Sequence, residues 1–113
     1  MKKSVLEALR VRDSHCWLTG KTENLVPHHR KNRGMGGRKS LDILSNLILV
    51  SADYNLQMES DSKVAWQALQ YRHKIRQGDS FDEPVFDAHL QMWFVLDNEG
   101  RKTYAPDTRS PQF

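Results

Sequence analysis

Two adjacent histidines, His28 and His29, close a short apolar run, and Asn46, Asn55 and Glu59 follow before residue 60. These residue types in this order suit phosphodiester hydrolysis. That reaction needs an activated water, a cation to hold the charged phosphate and help for the leaving oxygen. A neutral imidazole takes a proton from water near pH 7, and a hard divalent ion with few protein ligands holds both phosphate and water. His29 is the expected base, and the His28–His29 doublet lets the two rings divide the work of ligand and base. Neighbours on a regular strand face opposite sides, so the strand must end or twist here.

Asn46 would hold the base, its amide bonding either backbone or imidazole so as to fix the ring. It also suits an ordinary Ser-Asn turn before a strand. Asn55 offers a neutral amide oxygen, a metal ligand that fits Mg²⁺ or Mn²⁺ better than Zn²⁺. Glu59, four residues on, shares its helix face and is either a further ligand, an anchor for a bound water or part of a solvated face. Between the histidines and Asn46, the cations Arg30, Lys31, Arg33, Arg38 and Lys39 alternate with Gly34, Gly36 and Gly37. A loop of this kind lets cationic side chains and backbone N–H groups approach phosphates, so its five cations are the expected DNA contacts. No Gly-Lys-Ser/Thr ends a glycine-rich turn, which excludes a Walker site.

The elements that must position these residues can be read from patterning. Ser4-Val5-Leu6-Glu7 is a capping-box pattern and predicts a helix over residues 4–12. Residues 25–29 form a candidate strand, and Leu47-Ile48-Leu49-Val50 is a continuous apolar run of strand length. A long connection between them suits a functional loop. Ser51-Ala52-Asp53-Tyr54 predicts a helix start, with the helix running to about residue 59. Ser60-Asp61-Ser62 then breaks it and caps another helix, where Val64, Ala68, Tyr71 and Ile75 form a buried stripe and Gly78 is the expected stop. Met92-Trp93-Phe94-Val95-Leu96 and Arg101-Lys102-Thr103-Tyr104 flank an Asp97-Asn98-Glu99-Gly100 turn and predict a hairpin. Residues 105–113 read as a frayed tail.

Composition bounds the function. At 113 residues the chain has room for one modest core. Hydrophobic content of 38% and charged content of 27% are ordinary for a soluble domain. The net charge of +3 and pI near 9.2 permit nucleic-acid binding without requiring it. The single Cys16 excludes an internal disulfide and fits a reducing compartment. Glu7, Arg10, Arg12 and Asp13 interrupt any signal-peptide core, and no run approaches the ~20 apolar residues of a membrane span. The expected location is the cytoplasm, with no membrane partner.

The elements His28-His29-Arg30 and Arg33-Gly34-Met35-Gly36-Gly37, then Asn46-Leu47, then Asn55 with Glu59-Ser60, resemble phage-type HNH endonucleases. The likeness covers roughly residues 16–104, more weakly through Glu83-Pro84-Val85 and Leu96-Asp97-Asn98-Glu99-Gly100. It implies a ββα-metal core of the His-Me finger kind. It implies that His28 binds metal, His29 activates water, Asn46 supports His29 and Asn55 completes the metal site, with a nick or double-strand break in DNA as the outcome. Two departures stand out. Many relatives hold a structural zinc with two Cys pairs, but Cys16 stands alone, with Thr19 where its partner would be, so no structural zinc is expected. The core, through Trp17 and the N-terminal helix, must replace it. Asn55 replaces the third-motif His, which suggests weaker metal binding.

The sequence thus predicts an α+β fold: a ββα-metal core over about residues 25–60, an N-terminal helix, an additional helix and a C-terminal β-hairpin, in one domain over 1–104. It predicts a Mg²⁺- or Mn²⁺-dependent DNA endonuclease of phage or mobile-element type, with long-site recognition requiring a homodimer or a partner. The rival is a catalytically inactive DNA-binding module on the same scaffold.

Overall fold

The run Leu47-Ile48-Leu49-Val50 is apolar without alternation because the strand it forms is covered on both sides. In the computed structural model, which describes residues 1–32 and 39–111, strand β2 (Leu47–Ser51) is buried at all five positions. Ile48 and Val50 enter a main core with Cys16, Trp17, Tyr54, Met58, Ala68, Val85, Phe94 and Leu96. Leu47 and Leu49 face the other way, into a smaller core with Leu9 and Leu44. One strand therefore serves two cores, and a continuous apolar run is the consequence.

Strand β1 (Leu25–His29) pairs antiparallel with β2, with His28 opposite Ile48 and His29 opposite Leu47. Pro27 is tolerated because β1 is an edge of a two-stranded sheet. Short 3₁₀ turns at Lys39–Leu41 and Leu44–Asn46 lead into β2. Helix α2 (Ala52–Ser60) follows directly, its N-terminus capped by Ser51, whose hydroxyl accepts from the Tyr54 N–H at 3.1 Å. Asp61 ends α2 and caps helix α3 (Ser62–Gln70), accepting from the N–H groups of Lys63 and Val64. Strands β3 (Val85–Asp87), β4 (Met92–Leu96) and β5 (Lys102–Tyr104) form a second antiparallel sheet in that order. The turn before β5 is the one its residues specify. Gly100 takes φ +85°, and Asp97 accepts from the N–H groups of Glu99 and Arg101.

The described residues therefore form a mixed α/β domain of three helices and two small antiparallel sheets. Both sheets feed the main core, through Ile48 and Val50 from one and Val85, Phe94 and Leu96 from the other. The radius of gyration, 12.9 Å, is that of a single domain of this length.

Three sequence expectations need correction. Helix α1 (Lys3–Arg12) starts with Lys2 as its cap residue and has no side-chain cap bond, so the Ser4–Glu7 capping box does not form. Instead α1 is pinned at its other end. Arg12 donates to the carbonyls of Leu44 (2.7 Å) and Leu47, and pairs with Asp13 at 2.8 Å. Asp13 accepts in turn from the Trp17 indole (2.9 Å) and the Leu49 N–H (3.0 Å). Tertiary bonds replace the local cap.

The second correction concerns α3, which stops at Gln70, well before Ile75 and Gly78. Tyr71 is the C-cap, and Arg72 takes φ +61°, a left-handed conformation costing a non-glycine residue roughly 1–2 kcal/mol. The bend is stabilised by the contacts it delivers: the Arg72 carbonyl accepts from Arg30 Nε (3.0 Å) and the Ile75 N–H donates to the Arg30 carbonyl (2.9 Å). Ile75 is buried, but outside the helix. The third correction is β3, an added strand that turns the expected hairpin into a three-stranded sheet. Its three residues are too few to show a period.

Candidate active site

The C-terminal end of β1, the middle of α2 and the segment after α3 enclose a cleft of roughly 170 Å³, lined by Pro27, His28, His29, Asn32, Asn55, Glu59 and Lys74. A water occupies about 30 Å³ of liquid, so a partly hydrated ion and one phosphate group are of the right size. Four sequence-selected residues, His28, His29, Asn55 and Glu59, meet here from two elements.

The orientation of His28 follows from its partners. Its Nε2 lies 2.9 Å from the His73 carbonyl, which can only accept, so Nε2 carries the proton and Nδ1 the lone pair. Nδ1 faces Asn55 Oδ1 at 3.3 Å. Burial pushes the His28 pKa down to about 4, against the opposing pull of the His73 carbonyl, so the ring is neutral near pH 7. The His73 ring is itself locked. Its Nε2–H donates to the Phe86 carbonyl (2.7 Å), the Tyr54 hydroxyl donates to its Nδ1 (2.6 Å), and burial lowers its pKa to about 3. A buried chain of bonds from α2 and β3 thus sets the His28 tautomer.

Two lone-pair atoms 3.3 Å apart fit the bite of a small divalent ion, since ligands at about 2.1 Å and at right angles lie ~3 Å from each other. The donors are neutral nitrogen and neutral oxygen. Among the described residues no group of three or more His, Cys, Asp or Glu side chains converges. The donor set is therefore one imidazole and one amide, unlike a closed zinc site. Glu59 stands on the rim, its side chain 59% exposed, with Oε1 3.6 Å from Lys74 Nζ. An ion pair this open contributes little, so the carboxylate can turn toward the cleft.

His29 lines the same cleft, and its Nε2–H donates to Asp42 Oδ1 at 2.6 Å. Asn46 does not reach its ring. Fully buried, Asn46 accepts from the Lys31 N–H (2.7 Å) and donates to the carbonyls of Lys31 (3.1 Å) and Leu41 (3.0 Å). Its own carbonyl accepts from the Arg30 N–H at 2.8 Å. Of the two options read from sequence, backbone or imidazole, it takes backbone, and fixes the chain as it leaves His29.

The DNA-contact expectation is corrected for two residues. Arg30 is 1% exposed, and its guanidinium donates to the carbonyls of Arg72, Ser45, Phe81 and Glu83. Those carbonyls offset the desolvation of the buried charge. Lys31 is also buried, donating to the Asp79 carbonyl at 2.7 Å with Nζ 4.3 Å from the Phe81 ring centre. Neither is available to phosphates. Arg33 and Arg38 lie outside the described residues, and Lys39 opens the first 3₁₀ turn.

Lys74 and Asp42 are among the residues at the site that the sequence does not single out. Lys74 brings the cleft its cation, and Asp42 brings His29 a carboxylate. Lys74 sits inside what reads as a continuing helix, and only the left-handed bend at Arg72 turns it toward β1. Asp42 is a lone acid between Leu41 and Ile43, with no local signal of its partner. No helix among the described residues is long and apolar enough to cross a membrane. Comparisons with protein-family models, curated proteins and solved structures find no match for this chain.

Proposed function

We propose that this protein is a Mg²⁺- or Mn²⁺-dependent DNA endonuclease of the HNH type, with β1, β2 and α2 as its ββα-metal unit. One observation carries the reading: His28 Nδ1 and Asn55 Oδ1 stand 3.3 Å apart, in a cleft that His29 also lines. His28 and Asn55 would hold the ion, with Glu59 as an added ligand or an anchor for its water. Bound there, the ion supplies positive charge to hold the phosphate and offset the charge developing on its oxygens. His29 accepts a proton from the attacking water as the P–O ester bond breaks, and the departing oxygen takes its proton from solvent. Asn46 holds the backbone that presents His29. Lys74 adds a fixed positive charge beside the phosphate.

The test is cleavage of supercoiled plasmid and of phage genomic DNA by wild type and His29→Ala, in Mg²⁺, Mn²⁺ and EDTA. We expect metal-dependent cutting by wild type. The mutant should lose about 10²–10⁴-fold of the rate, the usual worth of a positioned base, with fold and DNA binding retained. Equal cutting by the mutant sinks the mechanism.

A second reading is a binding module on the same scaffold. It is favoured by the thin donor set, because the Asn55 amide turned over would donate to His28 Nδ1 and close the cleft as an ordinary hydrogen bond. Mn²⁺ titration separates the two: a module with no catalytic ion shows no saturable Mn²⁺ binding that His28→Ala removes.

A further inference from the structure

The structure provides His29 with a partner that the nuclease reading does not use. Asp42 Oδ1 lies 2.6 Å from His29 Nε2, and the two side chains are largely buried, 10% and 21% exposed. A charge-assisted bond of this length in a partly dry setting is strong and directional. It also decides which ring nitrogen can act. The carboxylate accepts, so Nε2 carries the proton and Nδ1 keeps its lone pair. Among the described residues the ring bonds through Nε2, with no hydrogen bond seen at Nδ1, and His29 is one of the residues that line the cleft. Asp42 precedes the second 3₁₀ turn, whose last residue, Asn46, ties down the chain just beyond His29. One short segment thus holds both the ring of His29 and the backbone behind it.

We propose that Asp42 is a positioning residue that locks His29 as its Nε2–H tautomer and makes Nδ1 the nitrogen that takes the proton from water. The pair has the division of labour of a His–Asp dyad: the carboxylate orients the ring and stabilises the imidazolium that forms, and is not itself protonated. The proton moves from water to Nδ1, and Nε2–H stays on the ring. This role rests on the nuclease reading of the cleft.

Asp42→Asn and Asp42→Glu in the full chain test it, with two readouts. Plasmid nicking at saturating Mn²⁺ gives kcat and KM, and long-range ¹H–¹⁵N spectra give the His29 tautomer without any need for cutting. We expect Asp42→Asn to lower kcat about 10- to 100-fold, the usual effect of losing a partner behind a working group. KM for plasmid should hold, and Asp42→Glu should recover part of kcat. Wild-type His29 should show a protonated Nε2, and Asp42→Asn a mixture of tautomers. Wild-type kcat in Asp42→Asn, or a wild-type His29 protonated at Nδ1, overturns the proposal. A wild type that His29→Ala inactivates and Asp42→Asn does not overturns this inference alone. A wild type that cuts no DNA removes the nuclease reading, and this role with it.

Discussion

Arg30 shows how far a side chain's type underdetermines its task. It stands between a histidine pair and a glycine-rich basic stretch, where a phosphate contact is the natural expectation, yet its guanidinium is spent on four carbonyls of the protein. Burial lowers its pKa, with Glu83 opposing. Arg30→Ala would strand those carbonyls and leave a cavity, at a cost on the order of 3–5 kcal/mol. Urea unfolding should show that loss, and Arg30→Lys should not restore it, because a single ammonium cannot match a planar fork. An Arg30→Ala protein of unchanged stability whose DNA binding has lost salt dependence would instead put the guanidinium on phosphate. His28, His29 and Asn55 stand out in the sequence because their chemistry is rare and their order informative, and one cleft brings them together; Asn46 lies behind it, bonded to backbone. Asp42 and Lys74 do not stand out, because an isolated Asp or Lys with no partner nearby in sequence resembles any solvated residue.

Among the elements, helix α2 matters most, since it carries Asn55 and Glu59 to the cleft. Its start was readable from Ser51, whose hydroxyl caps it. Ser51→Ala should cost about 1 kcal/mol, seen as a lower urea midpoint. By loosening the turn before Asn55, it should also weaken Mn²⁺ binding. Asp61→Ala, which removes the cap of α3, should cost about as much and leave Mn²⁺ affinity alone. If the two variants changed affinity equally, α2 would not be the element that sets the site. The end of α3 was misread for a physical reason. The apolar period continues past Gln70 to Ile75, but bonds from Arg30 to the Arg72 carbonyl and from Ile75 to the Arg30 carbonyl outweigh further helix. Those partners lie some forty residues away along the chain, as the separation of 42 between Arg30 and Arg72 records, where local patterning cannot register them.

At the scale of the whole molecule, two buried neutral histidines make stability depend on pH. His28 falls to about 4 and His73 to about 3, from an unfolded value near 6.5. Because the folded values are depressed, the unfolded chain binds protons first as pH drops. Stability is full above about pH 6.5 and declines below it, at roughly 1.4 kcal/mol per pH unit for each ring, until the folded values are reached. Urea unfolding at pH 7 and pH 5 should show the loss, and equal stability at both would mean that these rings are not buried neutral. Much of this architecture was written locally: the apolar run of β2, the Ser51 and Asp61 caps, the Asp97–Gly100 turn and the His and Asn residues of the cleft all follow from residue type and short-range spacing. Tertiary structure alone decided the rest. It buried Arg30 and Lys31, bent the chain after Gln70 so that the His73 carbonyl reaches His28, and brought Asp42 to His29 and Lys74 to the cleft. Backbone preference and hydrophobic period act over a few residues and so are visible in sequence. The satisfaction of buried charges and carbonyls depends on which distant segments meet, and only the folded chain settles it.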